Sequence, residues 1–337
     1  MKGKRIVFER KGHAVLEDYR APQPGAGQVL IETDFTVISA GTERANLVQL
    51  PNTVTAEKGF PHCPGYSGSG RVCAVGDGVD DFRIGDRVVV NWGGHCSHTL
   101  KPAKSTLKID DDSIDLLDAA FAPIAAFSFL GVRKLRIELG ESAVVAGLGI
   151  LGVFAVQVAA LSGAIPVLAL DFDATRRALA LKLGAAGAFS PDDENVVGKI
   201  KEATGGGGPN AVVEVTGSAA ALQQALEYIA WEGRISLLGC TRVSDTPIDY
   251  YKYVHKRGIS LIGAHTYTRA QNESAPGRWT ERDDYRAFLK LVGAGKLQTR
   301  PLISEIVSPQ EGPAVLARLA EADSVPLGIV FDWGQVR

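Results

Sequence analysis

Apolar residues fall in short runs along the first third of this chain and in a longer alternating rhythm along its middle. Residues 4–8, 15–19, 28–37, 70–75 and 86–91 are strand-like stretches cut off by Pro- and Gly-bearing turns such as APQPGAG and GDGVDD. Regular spacing of that kind predicts a small barrel up to about residue 118. A polar stretch at 110–117 leads into 119–135, whose apolar periodicity suits a connecting helix. From about residue 141 strand candidates at 143–146, 166–170, 188–190, 211–215, 234–238 and 260–262 alternate with helical patterns, three of them at 175–183, 196–204 and 219–229. This order predicts an α/β fold with a doubly wound parallel sheet. Beyond residue 264 the alternation stops. An amphipathic helix over 280–293, the stretch 296–307, a turn at 308–309, a helix near 311–320 and a strand at 328–333 follow. One economical arrangement returns this tail to complete the N-terminal unit.

The stretch SAVVAGLGILGVFAVQVAALSGAIPVLALD, from Ser142 to Asp171, organises the middle of the chain. A β-branched run meets Gly147, Gly149 and Gly152, an apolar helix follows, and a second strand ends at Asp171. In such a unit the first glycine permits a tight turn, the second lets backbone approach a pyrophosphate, and the third packs helix closely on sheet. The N–H groups at the helix start, at Ile150 and Leu151, face the phosphates. Asp171 stands roughly 20 residues on, where a carboxylate accepts from the adenosine ribose hydroxyls. A free 2′-hydroxyl suits it and a 2′-phosphate is repelled, which favours NAD over NADP; Arg176 and Arg177 lie close enough to blunt that preference. The run 144–170 is also apolar enough to be read as a membrane span. Five Gly or Pro residues interrupt it, and Asp171 follows where the nucleotide reading needs it.

Composition narrows the classes. With 337 residues the chain is long enough for about two domains. A net charge of −2 gives no nucleic-acid footprint and no charged tail. Four scattered cysteines, Cys63, Cys73, Cys96 and Cys240, make no disulfide framework and read as reduced thiols of a cytoplasmic protein. The N-terminus MKGKRIVFERKGH lacks the apolar core of a signal peptide. The run GGGGPN at 205–210 reads as a turn, since it lacks the lysine and hydroxyl of a P-loop.

Several stretches together resemble the medium-chain dehydrogenase/reductase family. They are PHCPGYSGSGRVCAVGDGVDDFRIGDRVVV at 61–90, GLGILG with Asp171, EVTGS at 214–218 and ISLLG at 235–239. The resemblance implies a GroES-like barrel over 1–118, a Rossmann domain over 119–264, and a return over 265–337 that completes the first. It adds Thr216, Gly217 and Gly239 to the cofactor-binding residues. It also implies a homodimer or homotetramer formed through the Rossmann sheet edge, with ISLIGA at 259–264 as the edge strand, and a small hydroxylated substrate in the cleft between domains.

The chain departs from that family at the metal. Zinc members hold the ion with a Cys in a CGTD-like motif, a His and Glu in GHE, and a further Cys or acid. Here ISAGTER puts Ala40 or Ser39 at the cysteine, Gly65-Tyr66-Ser67 stand at GHE, and the region of Pro123 offers neither thiol nor carboxylate. The four-cysteine zinc lobe expected after GDRV is absent too. Zinc chemistry needs three protein ligands and an open position, so no zinc is expected. A rescue set, His62, Cys63, His95, Cys96 and His98, lacks ordinary ligand spacing, and adjacent residues on a strand point opposite ways.

Hydride transfer belongs to the nicotinamide, whereas the protein must manage a proton. Tyr66, standing where the metal-binding histidine would be, is the first candidate. Glu43 offers a base, with pairing to Arg44 or Lys58 as the structural alternative. Ser39 and Thr42 offer hydroxyls, although turn hydroxyls commonly satisfy backbone. His95 after the Gly93-Gly94 turn and His265 after the last Rossmann strand are candidate relays. The stretch 264–286, AHTYTRAQNESAPGRWTERDDYR, is rich in polar and aromatic groups that suit a sugar, polyol or cyclitol; otherwise it is a solvated loop. The expected activity is zinc-independent, NAD-dependent oxidation of a secondary hydroxyl. An NADPH-dependent quinone or enoyl reductase and a non-catalytic dinucleotide-binding protein are the alternatives.

Overall fold

A computed structural model describes residues 1–244, 246–321 and 326–336. It divides into two compact units, one of residues 1–124 with 285–337 and the other of residues 125–284. Residues 265–284 thus fall with the nucleotide-type unit rather than with the returning tail. Positions 322–325 and 337, within the tail expected over 265–337, lie outside the described residues.

The first unit begins with a hairpin of β1 (Lys2–Arg10) and β2 (His13–Arg20). Strand β3 (Gln28–Ile38) follows and runs straight into helix α1 (Ala40–Leu47), then α2 (Val54–Lys58). The chain continues through β4 (Ser67–Val75), β5 (Arg87–Asn91), β6 (His98–Pro102), β7 (Leu107–Lys108), α3 (Leu116–Ala119) and α4 (Ala122–Leu135). Helix α1 was not foreseen: ISAGTER reads as a turn because glycine and β-branched residues have poor helix propensity. Its apolar partners come from elsewhere in the unit, where Ala40 and Leu47 pack with Ile6, Ile38, Leu316 and Trp333.

In the second unit β8 (Ala143–Ala146), α5 (Ile150–Leu161), β9 (Val167–Leu170), α6 (Ala174–Lys182), β10 (Gly187–Phe189), α7 (Val196–Ala203), β11 (Ala211–Glu214), α8 (Ala219–Tyr228), β12 (Arg234–Leu237) and β13 (Ser260–Gly263) follow in turn. Every strand pairing in this sheet is parallel, in the order β10-β9-β8-β11-β12-β13. The chain moves outward one way from β8 and returns to the other side of it at β11, the topology of a doubly wound Rossmann sheet. Strand β13 is the edge, where the resemblance put the stretch 259–264. The stretch 144–170 is strand, turn, helix and strand. Among the described residues no helix is long and apolar enough to cross a membrane.

Helix α9 (Glu281–Gly293) crosses the unit boundary, and β14 (Ile303–Val307), α10 (Gly312–Glu321) and β15 (Gly328–Asp332) close the first unit. There β15 pairs antiparallel with β3 and parallel with β14. The sheet runs β14-β15-β3-β4-β5-β7 with β6 also on β3, while β1 and β2 form their own two-stranded sheet. The C-terminal residues therefore build one side of the N-terminal sheet, with β14 at its edge.

Candidate functional site

Two groups of residues assemble, one in each unit. In the nucleotide-type unit the turn between β8 and α5 brings helix and strand together at Gly152. A Cβ there would lie 1.8 Å from the Gly147 carbonyl oxygen, so no other residue fits without moving backbone. Gly149 is the N-cap of α5 and supplies no side-chain acceptor. The first N–H groups of the helix, at Ile150, Leu151 and Gly152, therefore lack a protein cap and lie at the positive end of the helix dipole. An anionic group satisfies them.

Asp171 sits across this turn. Its Oδ2 accepts from the Leu148 N–H at 2.7 Å and its Oδ1 from the Asp173 N–H at 2.9 Å. Arg176 approaches to 4.0 Å but stands 3.9 Å from Asp173 as well. Arg177 is committed to backbone, donating to the carbonyls of Asp171 and Phe172 at 2.7 and 2.8 Å. Neither arginine is free to cradle an added phosphate without giving up a neighbour.

The next strand end is built by a residue that sequence reading passed over. Glu214 closes β11, is 2% exposed, and accepts from the Thr216 N–H at 2.7 Å, the Thr216 hydroxyl and the Gly217 N–H at 3.1 Å. Burial pushes its carboxyl above the ordinary value, against the opposing pull of those donors. Gly217 packs against Gly239, so Thr216, Gly217 and Gly239 gather at the ends of β11 and β12. The signal was present: an acid ending an otherwise apolar strand, just before Thr-Gly. These residues fit a dinucleotide.

In the first unit the junction of β3 and α1 places a buried polar line. Glu43 is 2% exposed and His95 is 1% exposed, and Glu43 Oε2 meets His95 Nε2 at 2.8 Å. Glu43 Oε1 accepts from the Ser39 N–H at 3.0 Å. On the other side of the ring His95 Nδ1 lies 2.8 Å from Thr36 Oγ1, to which the Trp333 indole N–H donates at 2.9 Å. An indole N–H can only donate, so the Thr36 hydroxyl accepts it; an ionised Glu43 carboxylate can only accept, so it takes Nε2–H, and Nδ1 accepts from the Thr36 hydroxyl. In the neutral ring the proton then sits on Nε2, directed at Glu43. Gly65 lies against this histidine; a Cβ there would be 2.6 Å from His95 N and 2.8 Å from its ring. The next residue, Tyr66, is buried and its ring lies 5.1 Å from that of Trp92, which is 51% exposed. The segment 92–96 also lines a cavity of about 270 Å³.

Several expectations change accordingly. Glu43 pairs with His95 rather than with Arg44 or Lys58, and both residues are buried. Ser39 takes part through its backbone N–H. Thr42 faces solvent on α1. His265 is an exposed cap in the other unit, accepting from the Tyr267 N–H at 3.3 Å, which is an ordinary local turn role. The stretch 264–286 is not simply a solvated loop. Arg269 and Asp284 are buried partners, Arg133 Nε donates to Asp284 at 2.8 Å, and the Arg133 guanidinium stacks 3.6 Å over the Trp279 ring. This pins the segment to α4 and withdraws those groups from any ligand. Thr36, Trp333 and Trp92 were not foreseen; no local pattern marks a partner that lies 59 or 297 residues away in sequence.

The donor set does not suit zinc. The resemblance puts Ala40 or Ser39, Tyr66 and the region of Pro123 at the family's ligand positions. Among the described residues no group of three or more His, Cys, Asp or Glu could hold an ion. The rescue set is spent otherwise: Cys96 Sγ donates to the Gly93 carbonyl at 3.1 Å, His98 Nδ1 meets Ser97 Oγ at 3.0 Å, and Cys63 is exposed.

A six-stranded Rossmann sheet with a glycine turn and an acid across it, in a chain that also carries a GroES-like unit, defines a nucleotide-binding α/β protein. The sequence matches the models described as alcohol dehydrogenase GroES-like domain over residues 25–125 and zinc-binding dehydrogenase over residues 151–281. The chain belongs to the zinc-type medium-chain dehydrogenase/reductase family. It is 27% identical over 325 residues to a 2-dehydro-3-deoxy-L-galactonate 5-dehydrogenase of Pseudoalteromonas atlantica, covering 88% of this chain and 87% of that one. It is 29% identical over 321 residues to the L-threonine 3-dehydrogenase of Pyrococcus abyssi, covering 86% and 87%. A solved structure from Sinorhizobium meliloti, described as a zinc-binding dehydrogenase bound to NADP, shares the fold at a TM-score of 0.83 and 22% identity, over 98% of this chain and 99% of that one.

Proposed function

We propose that this chain is a zinc-independent, NAD-dependent oxidoreductase that oxidises a secondary hydroxyl of a sugar, polyol or cyclitol derivative. The observation that carries this reading is the juxtaposition at Tyr66. By the likeness of Gly65-Tyr66-Ser67 to the GHE motif, a phenol takes the place of the metal-binding histidine, next to a glycine packed on the buried His95–Glu43 pair. The names of the two curated relatives support the substrate class: each denotes reaction at an interior carbon, which in a sugar acid or in threonine bears a secondary hydroxyl.

When bound, the nicotinamide supplies the carbon that accepts or returns hydride. The α5 N–H groups bind the pyrophosphate, and Gly152 lets that helix start close to the sheet. Asp171 takes the ribose hydroxyls. Its charge, only partly balanced by Arg176, disfavours a 2′-phosphate, which is the reason for preferring NAD. The Tyr66 phenol hydrogen-bonds the substrate oxygen and stabilises negative charge as it develops there. The His95–Glu43 pair holds the loop bearing Gly94 and Trp92, and Trp92 offers an apolar face to the C–H side of a ring.

Calorimetric titration with NAD and NADP, metal analysis of the purified protein, and a turnover screen over sugar acids, polyols, L-threonine, quinones and enones test the reading together. Tighter binding of NAD, turnover of a hydroxylated substrate without stoichiometric metal, and a loss of about 10²–10⁴ in kcat in Tyr66→Phe are expected. Unchanged turnover in that variant, or a stoichiometric zinc required for activity, would overturn the proton assignment. Turnover of quinones with NADPH, or tight binding with no turnover of any substrate, would overturn the activity.

A further inference from the structure

The first unit brings together two thiols for which the proposed reaction has no use. Cys63 and Cys96 both line the cavity of about 270 Å³, in whose wall Arg5, Tyr19 and Thr99 also stand. Cys63 is exposed, whereas Cys96 is buried. The other two cysteines lie elsewhere: Cys73 on β4 donates to the Leu30 carbonyl at 3.4 Å, and Cys240 belongs to the second unit.

Strand register sets the pair on one face. Residues 62–63 and 95–97 both run against β1, with Arg5 bridged antiparallel to Cys96 and Phe8 to His62. Phe8 and His62 exchange backbone hydrogen bonds of 2.8 and 2.9 Å, and the Ile6 N–H donates to the His95 carbonyl at 2.8 Å. Continuing the Phe8–His62 pairing by one residue puts Cys63 opposite Val7. Side chains alternate between faces along a strand, so Cys63 and Cys96 share the face of Val7 and Arg5, while His62 falls on the face of Phe8. Two positions along β1 span roughly 6.8 Å. The His95 N–H, donating to the Pro64 carbonyl at 2.7 Å, clasps the two segments together. Disulfides join residues whose Cα atoms lie up to about 6.8 Å apart, so this pair stands at the long end of the bridging range.

The two thiols differ in what surrounds them. Cys96 Sγ lies 3.1 Å from the carbonyls of Gly93 and His98 and 3.2 Å from Thr99 Oγ1. An S–H is a weak donor, so these contacts do not lock the side chain. Burial pushes the Cys96 thiol above its ordinary value, which keeps it protonated. Cys63 is the thiol that meets solvent first.

We propose that Cys63 and Cys96 form a reversible disulfide when the protein meets a hydroperoxide, with Cys63 attacking and Cys96 resolving. The Cys63 sulfur, its proton given to water, attacks a peroxide oxygen. The O–O bond breaks, the departing hydroxide takes up a proton, and Cys63 becomes a sulfenic acid. The Cys96 sulfur then attacks that sulfur; the S–O bond breaks and the hydroxide leaves with the Cys96 proton as water. The two thiols lose two electrons and two protons, and hydrogen peroxide becomes two waters. The new bond draws Cys96 Sγ off the Gly93 carbonyl, next to Trp92. The disulfide is independent of the hydride-transfer reading and stands or falls without it.

The test treats the full chain, reduced and then freed of reductant, with a few equivalents of hydrogen peroxide, followed by intact mass and non-reducing peptide mapping. The chain should lose two hydrogens and two of its four alkylatable thiols, yield a peptide pair joining Cys63 to Cys96, and recover on treatment with dithiothreitol. In Cys96→Ser the serine hydroxyl takes over the Gly93 carbonyl, and Cys63 should stop at a sulfenic acid that dimedone traps. In Cys63→Ser, a change at an exposed position, oxidation of Cys96 should slow about tenfold or more; this variant carries the comparison if Cys96→Ser does not fold. Cys240→Ser should link as the wild type does. No linked pair in the wild type, a link from Cys63 to Cys73, to Cys240 or to a second chain, or oxidation of Cys96 undiminished in Cys63→Ser would overturn the proposal.

Discussion

Removing the Glu43 carboxylate should damage the first unit far more than an average substitution, and the reason can be worked from its neighbours. In Glu43→Ala the His95 Nε2–H and the Ser39 N–H lose their acceptor together. Glu43 and His95 are 2% and 1% exposed, so water cannot readily replace it. Each buried, unpaired donor costs about 1–3 kcal/mol, and two are stranded together. We expect a loss of about 4 kcal/mol, seen as a fall of roughly 10 °C in the melting transition of this unit. Glu43→Gln keeps an acceptor for one donor and turns an N–H toward the other, so it should cost about half as much. The sharper measurement is a double-mutant cycle with His95→Leu. Removing both partners leaves fewer stranded groups than removing either, so the double variant should be more stable than the sum of the single losses implies, by about 1–3 kcal/mol. Additive losses, or an alanine variant within about 1 kcal/mol of wild type in urea titrations, would refute the idea that the pair is a single coupled unit.

Gly152→Ala should abolish NAD binding by calorimetry, because its new methyl would meet the Gly147 carbonyl at 1.8 Å; α5 has to shift away from the sheet, at a cost of about 1–3 kcal/mol in overpacking, and retained affinity would exclude the assigned turn. Glu214 predicts a pH dependence of definite sign. Its carboxyl is raised above the ordinary value of 4.5 by burial, so the native state binds the proton more tightly than the unfolded chain. That contribution to stability is fully present below the unfolded pKa and is lost as pH rises through the folded one. Urea titrations from pH 4 upward should therefore show the stability of the wild type falling relative to Glu214→Gln, and a rising difference would contradict the burial assignment.

What could be read from the chain was whatever depends on neighbours along it. Strand β8, helix α5 and strand β9 were legible because β-branched runs, three glycines and one aspartate sit within 30 residues and act on one another directly. The alternation after residue 141 predicted the parallel sheet for the same reason. The buried line Trp333–Thr36–His95–Glu43 was not legible. Its members come from just after β15, the C-terminal part of β3, a glycine turn and an unforeseen helix, and only the antiparallel register of Phe331 on Thr36 brings Trp333 beside that hydroxyl. The same holds for Arg269 and Asp284, read from sequence as polar and available but buried as partners in the fold. Local periodicity encodes which face of an element is apolar; it does not encode which distant charge will meet which, because that depends on strand register and on loops whose closure is decided by the packed whole.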